Sequence, residues 1–268
     1  MKYTTLTSTS NPLIKGTLKL KSSPDRSTGF LIEGPHLVEA ALAAGVAFKR
    51  VFFTAEFISK KEGKRLLHLL ERKASLLVEL SGAVFSRLSD TETPQGIIAV
   101  VSWPAIGLEG LQFKAAPFLA VCDGIQDPGN LGTIIRSADA AGADAVVVMP
   151  GTCNAFSPKA VRATAGSIFT IPVVHAAPDE LRDFLSERDI HLWGTDSRAE
   201  RSIYEADLSR PVAIALGNEA HGLSGPLRRI AAGFMSIPLA GRAESLNVAM
   251  AATVAFYETL RQRRFSGR

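Results

Sequence analysis

Asn130 and Arg136 stand six residues apart in the segment Asp127-Pro-Gly-Asn-Leu-Gly-Thr-Ile-Ile-Arg136, which follows an apolar run ending at Cys122. A second polar segment, Leu216-Gly-Asn-Glu-Ala-His-Gly222, offers the carboxylate of Glu219 behind another apolar run. A third, Ile237-Pro-Leu-Ala-Gly-Arg-Ala-Glu-Ser-Leu-Asn-Val248, offers Ser245 and Asn247. Each places Gly, Asn or Ser just after a run that reads as a buried strand. In open α/β sheets, ligands bind where loops leave the carboxyl ends of strands, so three such loops point to one composite site. A planar guanidinium suits phosphate anchoring, and Glu219 suits orienting Asn130 or Arg136 through hydrogen bonds. Taken singly, each residue also has a plainer reading. Gly217 reads as a turn glycine, Arg136 as an exposed helix arginine, Glu219 as a solvated loop carboxylate and Ser245 as a helix cap. If a helix opens near Asn130, six residues turn it by about 600°, about 240° net. Asn130 then belongs to the loop or cap, while Arg136 projects from the second turn.

The elements that must hold these loops read as two α/β units. Residues 1–27 look like a basic arm, with Lys2, Lys15, Lys19, Lys21 and Arg26 against Asp25. Residues 28–103 alternate strand and helix candidates: Phe30–Ile32, a helix opened by Gly34-Pro35 and closed by Gly45, Arg50–Thr54, an amphipathic helix Lys61–Lys73, Leu76–Leu80 and Ile97–Val101. Residues 104–116 lack a sustained period and read as a linker. Residues 117–268 open on Pro117–Cys122, a continuous apolar run typical of a central parallel strand. A helix Leu131–Ala141 and strands at Ala145–Met149, Ile171–Val174, His191–Thr195, Val212–Leu216 and Met235–Leu239 follow. The last helix opens at Ser245, a favoured N-cap, with Leu246, Met250, Thr253, Tyr257 and Leu260 at helical spacing. This alternation is the pattern of a doubly wound α/β domain preceded by a smaller one.

The three polar segments, in this order, resemble the motifs of the SpoU (TrmH-type) RNA ribose 2′-O-methyltransferases of the SPOUT superfamily. Asn11-Pro-Leu-Ile-Lys15 and Phe30-Leu-Ile-Glu-Gly-Pro-His-Leu-Val38 resemble the amino-terminal substrate-binding part of many such enzymes. The resemblance implies a parallel sheet closed by a deep trefoil knot, S-adenosylmethionine as cofactor, and a homodimer formed through the knotted domain. It implies cofactor contacts from Gly217, Ile237 and Leu246. It implies a reaction centre made of Arg136, Asn130, Glu219, Ser245 and Asn247. His221 lies outside the matching positions. Transfer of a methyl group to a ribose hydroxyl needs the nucleophile held in line, its proton removed and water kept away. A substrate-binding unit ahead of the catalytic one favours 23S-type ribosomal RNA. Transfer RNA, or an RNA-binding protein of the same fold without catalysis, are the alternatives. Lys159 and Arg162 are candidate phosphate contacts.

Composition agrees with a folded protein acting on a polyanion. The chain has 46% hydrophobic and 21% charged residues, ordinary for a globular fold, and a net charge of +4. Basic residues gather at the ends, where Arg261, Arg263, Arg264 and Arg268 close the chain; charge alone reads equally as a phosphate-binding surface or as solubilising termini. Cys122 and Cys153 form no Cys-x-x-Cys pair, so no metal site is expected. No apolar stretch has the length of a membrane span, and a reducing cytoplasmic setting is expected. The Gly124, Gly129, Gly132 spacing does not supply the Gly-x-Gly-x-x-Gly of dinucleotide enzymes, and no P-loop is present.

Overall fold

Two periodicities build the structure: short β-branched runs bounded by Gly or Pro, and helices opened by capping residues or Pro. In a computed structural model, which describes residues 3, 5–26, 28–113 and 116–265, the chain forms two compact units. The first comprises Met1–Ala105 with Phe156–Phe169, and the second Ile106–Ala155 with Thr170–Arg268.

In chain order the first unit holds β1 (Thr5–Leu6), α1 (Pro12–Ser22), β2 (Phe30–Glu33), α2 (Pro35–Ala43), β3 (Ala47–Thr54), α3 (Ala55–Ser59), α4 (Lys61–Leu70), β4 (Leu77–Leu80), α5 (Gly82–Leu88) and β5 (Ile97–Ser102). Its five-stranded sheet has the order β1-β4-β3-β5-β2, parallel from β1 to β3 and antiparallel beyond. The stretch read as an arm is largely helix. α1 starts on Asn11, whose side chain accepts the Leu13 N–H at 2.8 Å, and buries Ile14 and Thr17. Its lysines hid this inward stripe. In α4, Leu66, Leu67 and Leu70 are buried as expected, whereas Leu69 is exposed.

The second unit holds β6 (Phe118–Cys122), α6 (Pro128–Ala140) and β7 (Ala145–Val148). α7 (Pro158–Ala163) follows in sequence but packs with the first unit, against β2, where Phe156 and Phe169 lie 5.1 and 6.2 Å from the Phe30 ring. The chain returns to the second unit with β8 (Val173–His175), α8 (Pro178–Glu187), β9 (His191–Thr195), β10 (Val212–Leu216), α9 (Gly225–Ile230), β11 (Gly233–Met235) and α10 (Val248–Phe265). All six strands are parallel, in the order β11-β9-β10-β6-β7-β8. Continuous apolar strands are what a sheet covered on both faces requires. α8 packs Leu181, Phe184 and Leu185 with Leu119, Val121 and Val147 in one core. α10 brings Phe256 to 5.5 Å from Phe118.

Two strands are displaced from expectation. β8 begins at Val173 because Pro172 has no N–H to donate. β11 ends at Met235, opposite Thr195 at the end of β9; beyond it Ser236 pairs instead with the backbone of Arg201 and Ile203, and residues 237–239 make no backbone hydrogen bond with other described residues. No helix among the described residues is long and apolar enough to cross a membrane.

Candidate active site

β6 and β10 are adjacent and in register, Cys122 against Leu216, so the loops after them leave the sheet side by side. The first loop turns directly into α6. Asp127 is its N-cap, accepting the Asn130 N–H at 2.9 Å, and Pro128 fills the first position, where no N–H is needed. Asn130 therefore sits within the first helical turn rather than ahead of the helix. Arg136 lies on another face of α6. It is exposed, and among the described residues its guanidinium has no hydrogen bond or ion pair.

The loop after β10 closes on itself. Asn218 and Gly222 exchange two backbone hydrogen bonds of 3.0 and 2.8 Å, and the Asn218 Oδ1 accepts the N–H groups of Ala220 and His221. The Asn218 Nδ2 donates to the Gly124 carbonyl at 2.8 Å, which fixes the loop to the end of β6. Gly217 is buried. A Cβ on it would lie 2.3 Å from the Gly222 carbonyl carbon and 2.4 Å from the Leu223 nitrogen. The backbone that needs this glycine is the loop's own, so the turn-glycine reading holds, and replacing Gly217 by valine disrupts the loop as well as any ligand beside it.

The third segment supplies a correction at the last helix. Its N-cap is Asn247, not Ser245: the Asn247 Oδ1 accepts the N–H of Ala249 at 2.9 Å and of Met250 at 3.4 Å. Ser245 and Leu246 lie outside the helix and are exposed. The inward face of α10 is Ala249, Ala252, Ala255, Phe256 and Thr259, while Met250 and Tyr257 are 57% and 48% exposed.

Three of the expected residues meet through side chains. Asn247 Nδ2 donates to Asn130 Oδ1 at 3.1 Å, and Asn130 Nδ2 donates to Glu219 Oε1 at 3.0 Å. Capping fixes which end of the Asn247 carboxamide is the acceptor. The Asn130 amide then has one orientation, with its nitrogen toward the carboxylate. Three parts of the chain are thus linked: the start of α10 through Asn247, then Asn130, then Glu219. Ile237, Ser245 and Leu246 do not join this network. Residues 237–246 make no hydrogen bond or ion pair with other described residues, and from Pro238 onward they are all exposed. Ile237 is half-buried, and Leu239 and Leu246 are 37% and 39% exposed. Exposed apolar side chains beside unpaired backbone polar groups fit the flat, polar-edged ring of an adenine nucleoside.

Arg162, expected to be free for a phosphate, lies 3.8 Å from Asp90, which also takes Lys21 at 2.6 Å. Sequence reading missed Asp127 and Asn218. The signal was available for the first, since Asp followed by Pro is a helix-start signature.

Fold and site together define a class: parallel α/β proteins with a ligand site at the carboxyl ends of neighbouring strands. Residues 117–257 match the SpoU rRNA Methylase family, and residues 11–99 match the MRM3-like substrate binding domain. The 23S rRNA (guanosine(2553)-2′-O)-methyltransferase RlmP of Bacillus subtilis is 38% identical over 252 residues, 93% of this chain and 96% of the relative. The 23S rRNA (uridine(2479)-2′-O)-methyltransferase of Streptomyces viridochromogenes is 33% identical over 91% of this chain and 86% of its own length. The crystal structure of the SpoU methyltransferase AviRb from the same organism, in complex with the cofactor AdoMet, superposes with a TM-score of 0.87 at 31% identity, covering 96% of this chain and 100% of that one. The chain belongs to the SpoU rRNA methylase family.

Proposed function

We propose that this protein transfers the methyl group of S-adenosylmethionine to a ribose 2′-hydroxyl of ribosomal RNA. The observation that carries the reading is the hydrogen-bonded chain from Asn247 through Asn130 to Glu219, which joins the three motif segments of a SpoU family member. Relatives that act on 23S ribosomal RNA and cover nearly all of both chains favour ribosomal over transfer RNA.

The cofactor, when bound, supplies an electrophilic methyl carbon. Ile237 and Leu246 would offer it apolar surface, and the backbone at Gly217 would offer it polar groups. Arg136 anchors a substrate phosphate next to the reacting ribose. A guanidinium keeps its proton throughout the neutral range. Arg136 therefore assists by its positive charge, which favours the developing alkoxide, rather than as a base, and the hydroxyl proton passes to solvent. Asn130 and Asn247 orient the ribose, Glu219 holds Asn130, and the Ser245 hydroxyl is free to meet the ligand because it does not cap α10. The trefoil knot belongs to the same proposal. In its support, the chain reaches the sheet edge at β11 and then returns through residues 236–247 to α10, which packs on α6 and β10 in the middle of the sheet. So does a homodimer, for which the exposed Met250 and Tyr257 offer an apolar face. Light scattering then gives about twice 28.6 kDa, and an active monomer at micromolar concentration contradicts the pairing.

The test is methyl transfer from tritiated cofactor to ribosomal and transfer RNA, with 2′-O-methyl positions mapped by mass spectrometry. Arg136→Ala and Arg136→Lys both lose transfer while keeping cofactor affinity, because a point charge does not copy the guanidinium fork. Near wild-type turnover by Arg136→Ala removes the assignment. Transfer to transfer RNA alone moves the substrate.

A further inference from the structure

Asp123 follows the last residue of β6, and none of the roles above uses it. It is only 4% exposed, yet it carries an acid into the sheet end. Burying such a group is costly unless it is hydrogen-bonded. The bonds of Asp123 all go to one loop. Its N–H donates to the Leu216 carbonyl at 2.9 Å, and its Oδ2 accepts the Ser224 N–H at 2.6 Å. Leu216 is the last residue before the Gly217–Leu223 loop, and Ser224 is the first after it. The next residue, Gly124, receives the Asn218 side chain at 2.8 Å. Two consecutive residues at the end of β6 therefore hold the loop at its entry, at its closing pair and at its exit. The exit has a second brace in Arg228, which donates to the Leu223 carbonyl at 3.3 Å and to Asp196 at 2.9 Å.

We propose that Asp123 is a positioning residue for methyl transfer: it sets the Gly217–Leu223 loop, and through it the cofactor-facing backbone at Gly217 and the Glu219–Asn130 hydrogen bond. This rests on the function proposed above. The fold supplies its own control. At the opposite end of the same strand, Asp144 Oδ2 accepts the Phe118 N–H at 2.8 Å, the same kind of bond with none of these loop residues attached.

The experiment compares Asp123→Ala, Asp123→Asn and Asp144→Ala in the full chain. It measures cofactor affinity by calorimetry, single-turnover transfer, thermal midpoint, and amide hydrogen exchange across residues 217–224. Small displacements of positioning groups cost up to about a hundredfold in rate. Asp123→Ala should weaken cofactor binding and slow transfer by roughly ten- to a hundredfold. It should also speed exchange in the loop. Asp123→Asn, which keeps an acceptor oxygen in place, should recover most of both. Asp144→Ala should lose thermal stability without changing affinity, rate or loop exchange. The proposal is overturned by wild-type affinity and loop exchange in Asp123→Ala, by an Asp123→Asn variant as damaged as Asp123→Ala, or by equal damage from Asp144→Ala. A wild-type protein that binds no cofactor contradicts the proposed function instead, and loop exchange still reads the hold of Asp123 directly.

Discussion

Asn247 uses both ends of one carboxamide, and this separates its structural work from its place in the network. Its oxygen caps α10 and its nitrogen donates to Asn130. Asn247→Asp keeps the cap and adds negative charge at a helix N-terminus, which is favourable. It removes the donor, however, and sets a carboxylate oxygen against Asn130 Oδ1. Asn247→Asp should therefore melt at or slightly above the wild-type temperature and lose most of its transfer activity. Asn247→Ala should lose activity and also about 1 kcal/mol of stability, as removed caps do. Circular dichroism melts beside the tritium assay separate the two effects, and an active Asn247→Asp variant removes the Asn130 hydrogen bond from the mechanism. The polar residues of this network were legible in the sequence through the resemblance of their segments to the SpoU motifs. Their connectivity was not legible. Asn and Ser are nearly equal as caps, so Ser245 and Asn247 compete from sequence alone, and only the reach of the Asn247 oxygen to two amides decides.

α10 shows which elements a sequence reveals. Its existence followed from periodicity, but its inward face did not, because the residues it buries are mostly alanines and the larger Met250 and Tyr257 point outward. Helices of five to seven residues, such as α3, α5, α7 and α9, complete too few turns to show a period. α8 was missed in the sequence, although Leu181, Phe184 and Leu185 have helical spacing. The carboxyl end of α10 is fixed by polar groups that composition alone counts as surface charge. Arg263 donates to four carbonyls, those of Leu208, Ala116, Pro117 and Arg210, at 2.6 to 3.1 Å. Glu258, with a side chain 5% exposed, accepts two bonds from Arg261 and one from Gln262, which in turn holds Ala206 and Leu208. The Arg261 hydrogen bonds hold the Glu258 carboxyl below the usual range, with help from Gln262 and against the effect of burial. A carboxyl depressed in the folded state stabilises the fold above its unfolded value of about 4.3, and that contribution is lost as pH falls below it. Glu258→Gln should melt below wild type at pH 7, by about 2–4 °C for each kcal/mol of stability removed. The gap should close as pH drops through the carboxylate range, and a gap independent of pH shows that the ionised pair contributes nothing.

At the scale of the whole molecule, the basic ends that suggested a polyanionic partner divide into committed and free charges. Lys2 and Arg268 lie outside the described residues. Lys21 is bound to Asp90 and the Ser89 carbonyl, Arg26 is 7% exposed, Arg261 is paired with Glu258, and Arg263 is spent on carbonyls. Lys15, Lys19 and Arg264 remain exposed and without an ion pair among the described residues, and the two lysines lie one turn apart on the outer face of α1. Between them is Gly16, where an added Cβ would meet only the Arg50 guanidinium at 3.9 Å, so packing does not demand the glycine. Deleting residues 1–103 to test RNA binding would strip Phe156 and Phe169 of Phe30, so point substitutions are the cleaner probe. If the proposed RNA substrate lies on this face, the Lys15→Ala/Lys19→Ala pair should weaken binding with little change in melting temperature. The slope of log affinity against log salt should fall by about 0.7 to 0.9 for each phosphate no longer neutralised, up to about 1.8 for both lysines. Arg263→Ala should do the reverse, lowering the melting temperature and leaving the slope alone. Filter binding across a salt series reads both. An unchanged slope in the double lysine variant places the RNA on some other surface and returns these two lysines to solvent.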